Sequence, residues 1–122
     1  MVKILIVDDS EFFRETIKEI LEDEGYAIAG EACDGAEGFD QYKKLRPDIT
    51  TMDITMPVMD GIEALGKILE YDPDAKVIMA SSSAQHSKVS EALILGAYAF
   101  LPKPFDREKL LAVISEIVNG IL

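Results

Sequence analysis

Short apolar runs and longer amphipathic stretches alternate five times in this chain. KILIV (3–7), AIAGEA (27–32), DITTM (48–52), KVIMA (76–80) and AYAFL (97–101) have the length and residue types of strands. Between and after them the spacing predicts helices over 10–24, 35–45, 61–71, 86–95 and 106–119. In the first, Phe13, Ile17, Ile20 and Leu21 recur on one helical face, with Glu15, Lys18, Glu19 and Glu22 on the others. Asp34 with Glu37, and Asp60 with Glu63, read as N-caps followed three residues later by an acid. Gly25, Gly96 and Pro73 mark helix ends.

Strand–helix repeats with short connections imply an α/β chain: one parallel sheet covered by helices on both faces, a single domain over residues 1–122. Pro102 has no amide donor and so assigns the fifth strand to the sheet edge. That fits a doubly wound sheet of strand order 2-1-3-4-5. Ligands of such sheets bind beyond the carboxyl ends of the strands, where the order reverses between strands 1 and 3. The residues there are polar. Asp8, Asp9 and Ser10 follow the first strand, Asp53 the third, Ser81, Ser82 and Ser83 the fourth, and Lys103 the fifth.

A length of 122 residues with 48% hydrophobic and 29% charged residues describes a globular chain able to bury a core. The net charge of −11 argues against a nucleic-acid partner, which would need a basic surface, and favours cations or basic partners. One cysteine, Cys33, leaves no internal disulfide and fits a reducing cytoplasm. No apolar run approaches about 18 residues and no leader pattern opens the chain, so neither a membrane span nor export is expected.

The strand-end residues imply a specific chemistry. A buried carboxylate at Asp53 costs several kcal/mol unless it is paired or metal-bound. Carboxylates about 4 Å apart repel by about 4 kcal/mol at an effective dielectric of about 20. A divalent cation resolves this. Mg²⁺ takes oxygen ligands, typically one or two carboxylates with waters and a phosphate oxygen, so Asp8, Asp9 and Asp53 can form a partial shell. A carboxylate is also a nucleophile that forms an aspartyl phosphate, with the Ser81 hydroxyl and the Lys103 ammonium as partners for the phosphoryl oxygens. Simpler roles compete: Asp9 or Ser10 as the cap of the first helix, Asp60 as a cap, and Lys103 as a solvated lysine. Cys33 reads as a small filler or partly exposed residue, and His86 as a surface residue without a second ligand nearby.

ILIVDDS, MDITMPVMDG, MASSSA and FLPKPF resemble the receiver domain of two-component response regulators, most of all stand-alone chemotaxis receivers of the CheY type. The resemblance covers the whole chain and implies a flavodoxin/CheY-like (βα)5 fold. It implies that Asp53 is the phosphoacceptor, taking phosphate from the phosphohistidine of a sensor histidine kinase. It assigns Asp8 and Asp9 to Mg²⁺, Asp8 directly or through a water, with the Ile54 backbone carbonyl as a third ligand. Lys103 would bind the phosphoryl group, and the Lys103–Pro104 bond would be cis. Ser81 would move toward the phosphoryl group while Phe100 turns inward. Phe100 has no phenolic hydroxyl, so packing alone would carry that turn.

The implied output face is residues 86–119. Val89, Leu93, Leu110, Leu111 and Ile114 lie there, most of them at core spacing. Thr55 and Ser83 occupy positions that tune dephosphorylation in the family. Neither can hold an attacking water with a carboxylate or amide, so a long-lived phosphoryl group is expected. The opening DDSEFFRETIKEIL, with its Phe13-Arg14 pair, resembles chemotaxis receivers and so implies a flagellar motor switch protein as target; a phosphatase as a further partner and a monomeric state are also expected. The chain ends directly after the fifth helix. A phosphorelay intermediate or an excised receiver of a larger regulator is the alternative.

Two rivals belong to other classes. A flavodoxin-like flavin carrier needs a phosphate-cradling loop after strand 1, where this chain has DDSEFF. A metal-dependent phosphohydrolase acting through an aspartyl phosphate would place its nucleophile after the first strand and carry a cap domain. A switch rather than an enzyme is therefore expected, acting only in its own phosphotransfer and autodephosphorylation.

Overall fold

The computed structural model describes residues 1–82 and 86–121. Strands and helices alternate: β1 (Lys3–Val7), α1 (Glu11–Asp23), β2 (Ala27–Ala32), α2 (Gly35–Leu45), β3 (Ile49–Asp53), α3 (Gly61–Tyr71), β4 (Val77–Ser81), α4 (His86–Leu95), β5 (Ala99–Pro102) and α5 (Arg107–Ile121). The strands form one parallel sheet in the order β2-β1-β3-β4-β5, as the repeat pattern predicts. β5 lies at its edge and Pro102 closes that strand.

Alternation along the strands divides the core in two. Leu5, Val7, Met52, Val77 and Met79 pack with Tyr42, Leu65, Ile68 and Ala92 under α2, α3 and α4. Ile4, Ile6, Ile49 and Ile78 pack with Ile17, Leu21, Leu110 and Ile114 under α1 and α5. Strands buried on both faces read as continuous apolar runs, which is why KILIV and KVIMA show no polar alternation.

Boundaries differ from the sequence pattern in an informative way. β3 and β4 each run one residue past their apolar runs, ending on Asp53 and Ser81. Ladder pairing is indifferent to side-chain polarity: Asp53 pairs with Ala80, and Ser81 with Pro102. β5 starts later than expected. Gly96, at φ +122, and Ala97 close α4 by donating their amides to the Ala92 carbonyl.

Ser10, Asp34 and Asp60 cap α1, α2 and α3, each accepting a backbone amide three residues on. Leu110 and Ile114 are fully buried, and Val89 and Leu111 partly so. Leu93 departs from core placement at 46% exposure, beside Ile94 at 86% and Leu95 at 45%. Val89 and Ala92, three residues apart, take the inward face of α4 and turn this trio outward. Among the described residues, no helix is long and apolar enough to cross a membrane.

Candidate functional site

Three strand ends and the turn after β5 meet on one rim. Asp8 directly follows β1, and its amide donates to the Ala32 carbonyl of β2 at 3.0 Å. One Asp8 carboxylate oxygen accepts the Ser10 amide at 2.9 Å. The other lies 2.5 Å from Lys103 Nζ. Asp53 ends β3 and Ser81 ends β4; both are buried, at 7% and 5% exposure. The Lys103 amide donates to the Ser81 carbonyl at 2.9 Å, which anchors the lysine beside β4. Its ammonium lies 3.4 Å from Asp53 Oδ2. The Lys103–Pro104 bond is cis.

Oxygens of Asp8, Asp9 and Asp53 all lie within 4.8 Å of one another. Asp8 and Asp53 are buried and Asp9 is exposed, so the cluster opens to solvent on the Asp9 side. Three carboxylates face one ammonium, leaving two negative charges in excess when all are ionised. This is a hard-oxygen donor set short of one divalent cation, and it fits Mg²⁺. Burial pushes the Asp53 carboxyl up to about 6; Lys103 pulls it down and Asp8 pushes it further up. At neutral pH the Asp53 carboxylate is ionised in a place that disfavours its charge.

The backbone around Asp53 is tightly specified. A Cβ on Gly61 would stand 2.0 Å from the Asp53 carbonyl oxygen, so only glycine lets α3 begin against the end of β3. The Gly61 amide donates to the Ile54 carbonyl at 2.7 Å. The carbonyl expected as the third metal ligand therefore already has a partner, and one lone pair remains.

Two residues of α1 belong to the site although the sequence pattern did not assign them there. Arg14 donates to the Asp8 carbonyl at 2.7 Å and to Glu31 of β2 at 3.2 Å, clamping the acidic turn to the sheet. A cation in the first turn of a mostly acidic helix, where a positive charge is unfavourable, was the available signal for Arg14. Phe13, expected on the core stripe, is partly buried and packs with neither core cluster among the described residues. Its ring lies over Lys103 Nζ, 4.2 Å from centroid to nitrogen. Helical periodicity cannot tell a core aromatic from one that covers a charge at the helix end.

The remaining candidates spread outward. Phe100, on β5, is partly buried against the cluster under α2 to α4. Thr55 is exposed beside the site, and Ser83 lies outside the described residues. Asp60 caps α3, accepting the Glu63 amide at 2.9 Å. Cys33 is exposed, with its thiol 3.4 Å from Glu37. A cavity of about 560 Å³ lined by Tyr42, Asp48, Asp72, Lys76, Tyr98 and Glu116 lies at the opposite end of the strands and shares no residue with this rim.

A family model described as the response regulator receiver domain matches residues 4–115. Among curated proteins, protein CcdB of Bacillus subtilis is 53% identical over 119 residues, covering 98% of this chain and 99% of that protein. Chemotaxis protein CheY of Thermotoga maritima is 44% identical over 115 residues, covering 94% and 96%. A solved complex of CheX and CheY with BeF3 and Mg from Borrelia burgdorferi superposes with a TM-score of 0.91 at 42% identity, over 96% of this chain and 89% of that one. With its fold, its strand-end acids and these likenesses, the chain belongs to the response regulator receiver domain family.

Proposed function

We propose that this chain, residues 1–122 acting as one unit, is a phosphoacceptor switch of a two-component system, with Asp53 as the residue that carries the phosphoryl group. The observation that carries the reading is the buried Asp53 carboxylate at a strand end, within 4.8 Å of Asp8 and Asp9 and 3.4 Å from the Lys103 ammonium. A structural ion pair would need one carboxylate per lysine, not three.

In the transfer, an Asp53 oxygen attacks the phosphorus of a sensor kinase's phosphohistidine. The P–N bond breaks as the P–O bond forms, and the electron pair leaves with the imidazole nitrogen, which takes up a proton. Lys103, 3.4 Å from Asp53, and the Ser81 hydroxyl would donate to the phosphoryl oxygens. Asp8, Asp9 and Asp53 would hold Mg²⁺, which when bound offsets the negative charge of the phosphoryl group. For the backbone ligand, the Ile54 carbonyl competes with that of Thr55, because Ile54 already accepts the Gly61 amide. Asp8 shares its carboxylate with Lys103 and Ser10, which favours its acting through a water.

The output is a change of surface. Charge added at one rim biases a two-state element, here Ser81 and Phe100 against the region 86–119. The exposed Leu93, Ile94 and Leu95 on α4 give that region an apolar contact surface. Likeness to CheY proteins favours chemotaxis, a cytoplasmic location, and a flagellar motor switch protein as target, with a phosphatase as a further partner. The chain itself turns over no external substrate.

Incubation with acetyl phosphate and Mg²⁺, followed by intact mass measurement, tests the reading. The parent gains one phosphoryl group, and Asp53→Asn gains none. A bound flavin, or repeated hydrolysis of phosphate esters, would overturn it.

A further inference from the structure

The ammonium of Lys103 has three N–H donors and a side chain only 3% exposed. Asp8 lies 2.5 Å from it and Asp53 3.4 Å. The ammonium also lies over an aromatic ring, the face of Phe13, with the centroid 4.2 Å from Nζ. The Phe13 amide donates to the Ser10 capping hydroxyl at 3.3 Å. The ring also meets that of Phe12 edge to face, with centroids 5.6 Å apart. Among the described residues Phe13 packs with neither core cluster, so burial of core area does not account for its position.

We propose that Phe13 is a positioning residue for Lys103. Its ring face attracts the ammonium and keeps water off it, so the donor not used by Asp8 turns to the anion carried by Asp53. This rests on the reading of Asp53 as phosphoacceptor. The distinction from simple packing lies in the ring quadrupole: a leucine fills similar space without attracting a cation, whereas a tyrosine keeps the attraction.

The full chain labelled with ¹⁵N-lysine separates these cases by NMR. In the parent and in Phe13→Tyr, the Lys103 side-chain protons show an upfield ring-current shift; in Phe13→Leu they return to ordinary positions. Affinity for beryllofluoride, a phosphoryl mimic, is then measured at saturating Mg²⁺. It falls on the order of tenfold in Phe13→Leu and recovers in Phe13→Tyr, within what a desolvated cation–π contact supplies. Affinity for Mg²⁺ alone stays within about twofold of the parent, as expected of a side chain with no ligand atom. A leucine variant that binds beryllofluoride as tightly as the parent, or a tyrosine variant as weak as leucine, overturns the positioning role alone. A parent that takes up no beryllofluoride overturns the phosphoacceptor reading, and the positioning role with it.

Discussion

Asp53 is a carboxylate 7% exposed, near a like charge and balanced by a single shared ammonium. Its pKa of about 6 against an ordinary 3.8 has a definite consequence for stability. Between those values the folded protein holds a proton that the unfolded chain releases, so this group's contribution falls as pH rises through that window. Above it, the folded state bears the full cost of the buried charge. Asp53→Asn is therefore expected to be more stable than the parent at pH 7.5, by about 2 kcal/mol, with the gap closing below pH 4. Urea unfolding at the two pH values checks this; no gain at pH 7.5 would contradict it. Residue type made Asp8, Asp9, Asp53, Ser81 and Lys103 legible, since each breaks or follows an apolar run that topology brings to one rim. Phe13 was not legible, and Arg14 showed only as a cation out of place in the first turn of a helix. Their partners, the Asp8 carbonyl and the Lys103 ammonium, become neighbours only when α1 docks beside β1.

At the level of elements, alternating runs revealed all ten segments, because doubly wound strands must be apolar on both faces, and Pro102 pointed to the edge strand and with it the sheet order. Strand ends were misjudged by a residue where a polar side chain still paired through its backbone, at Asp53 and Ser81. Two features of the elements store instability. The loop joining β3 to α3 holds Val58 at φ +68, a left-handed conformation that a β-branched residue resists. Val58 is 85% exposed, so no packing is lost on replacement. Val58→Asn is expected to raise stability by about 1 kcal/mol in a urea titration, with unchanged m-value. Within β3, the hydroxyls of Thr50 and Thr51 are buried without a hydrogen-bond partner among the described residues. Thr51→Val keeps the shape and removes an unsatisfied group, so about 1 kcal/mol of stabilisation should again appear. A destabilised Thr51→Val protein would reveal a partner for the hydroxyl that the structure does not show.

As a whole molecule, the chain separates scaffold from switch. The two core clusters lie on either side of the sheet, and the acids, serine and lysine stand at its carboxyl rim. On the proposed reading, a phosphoryl group at that rim biases the surface of α4 and β5 without reorganising either core. How long it stays is set by the surroundings of the site, where exposed Thr55 offers an attacking water neither carboxylate nor amide. Thr55→Asn combined with Ser83→Glu is expected to speed phosphate loss several-fold over the parent, followed as decay of the phosphorylated mass; an unchanged rate would count against the slow-loss reading. The central claim concerns a single atom acceptor. Borohydride reduces an acyl phosphate to an alcohol, so a phosphorylated aspartate becomes homoserine and its position can be read by peptide sequencing. After acetyl phosphate and Mg²⁺, homoserine should appear at position 53 alone and vanish when Mg²⁺ is withheld. Homoserine at position 8 or 9, or phosphate recovered on Ser81, would contradict the assignment of Asp53.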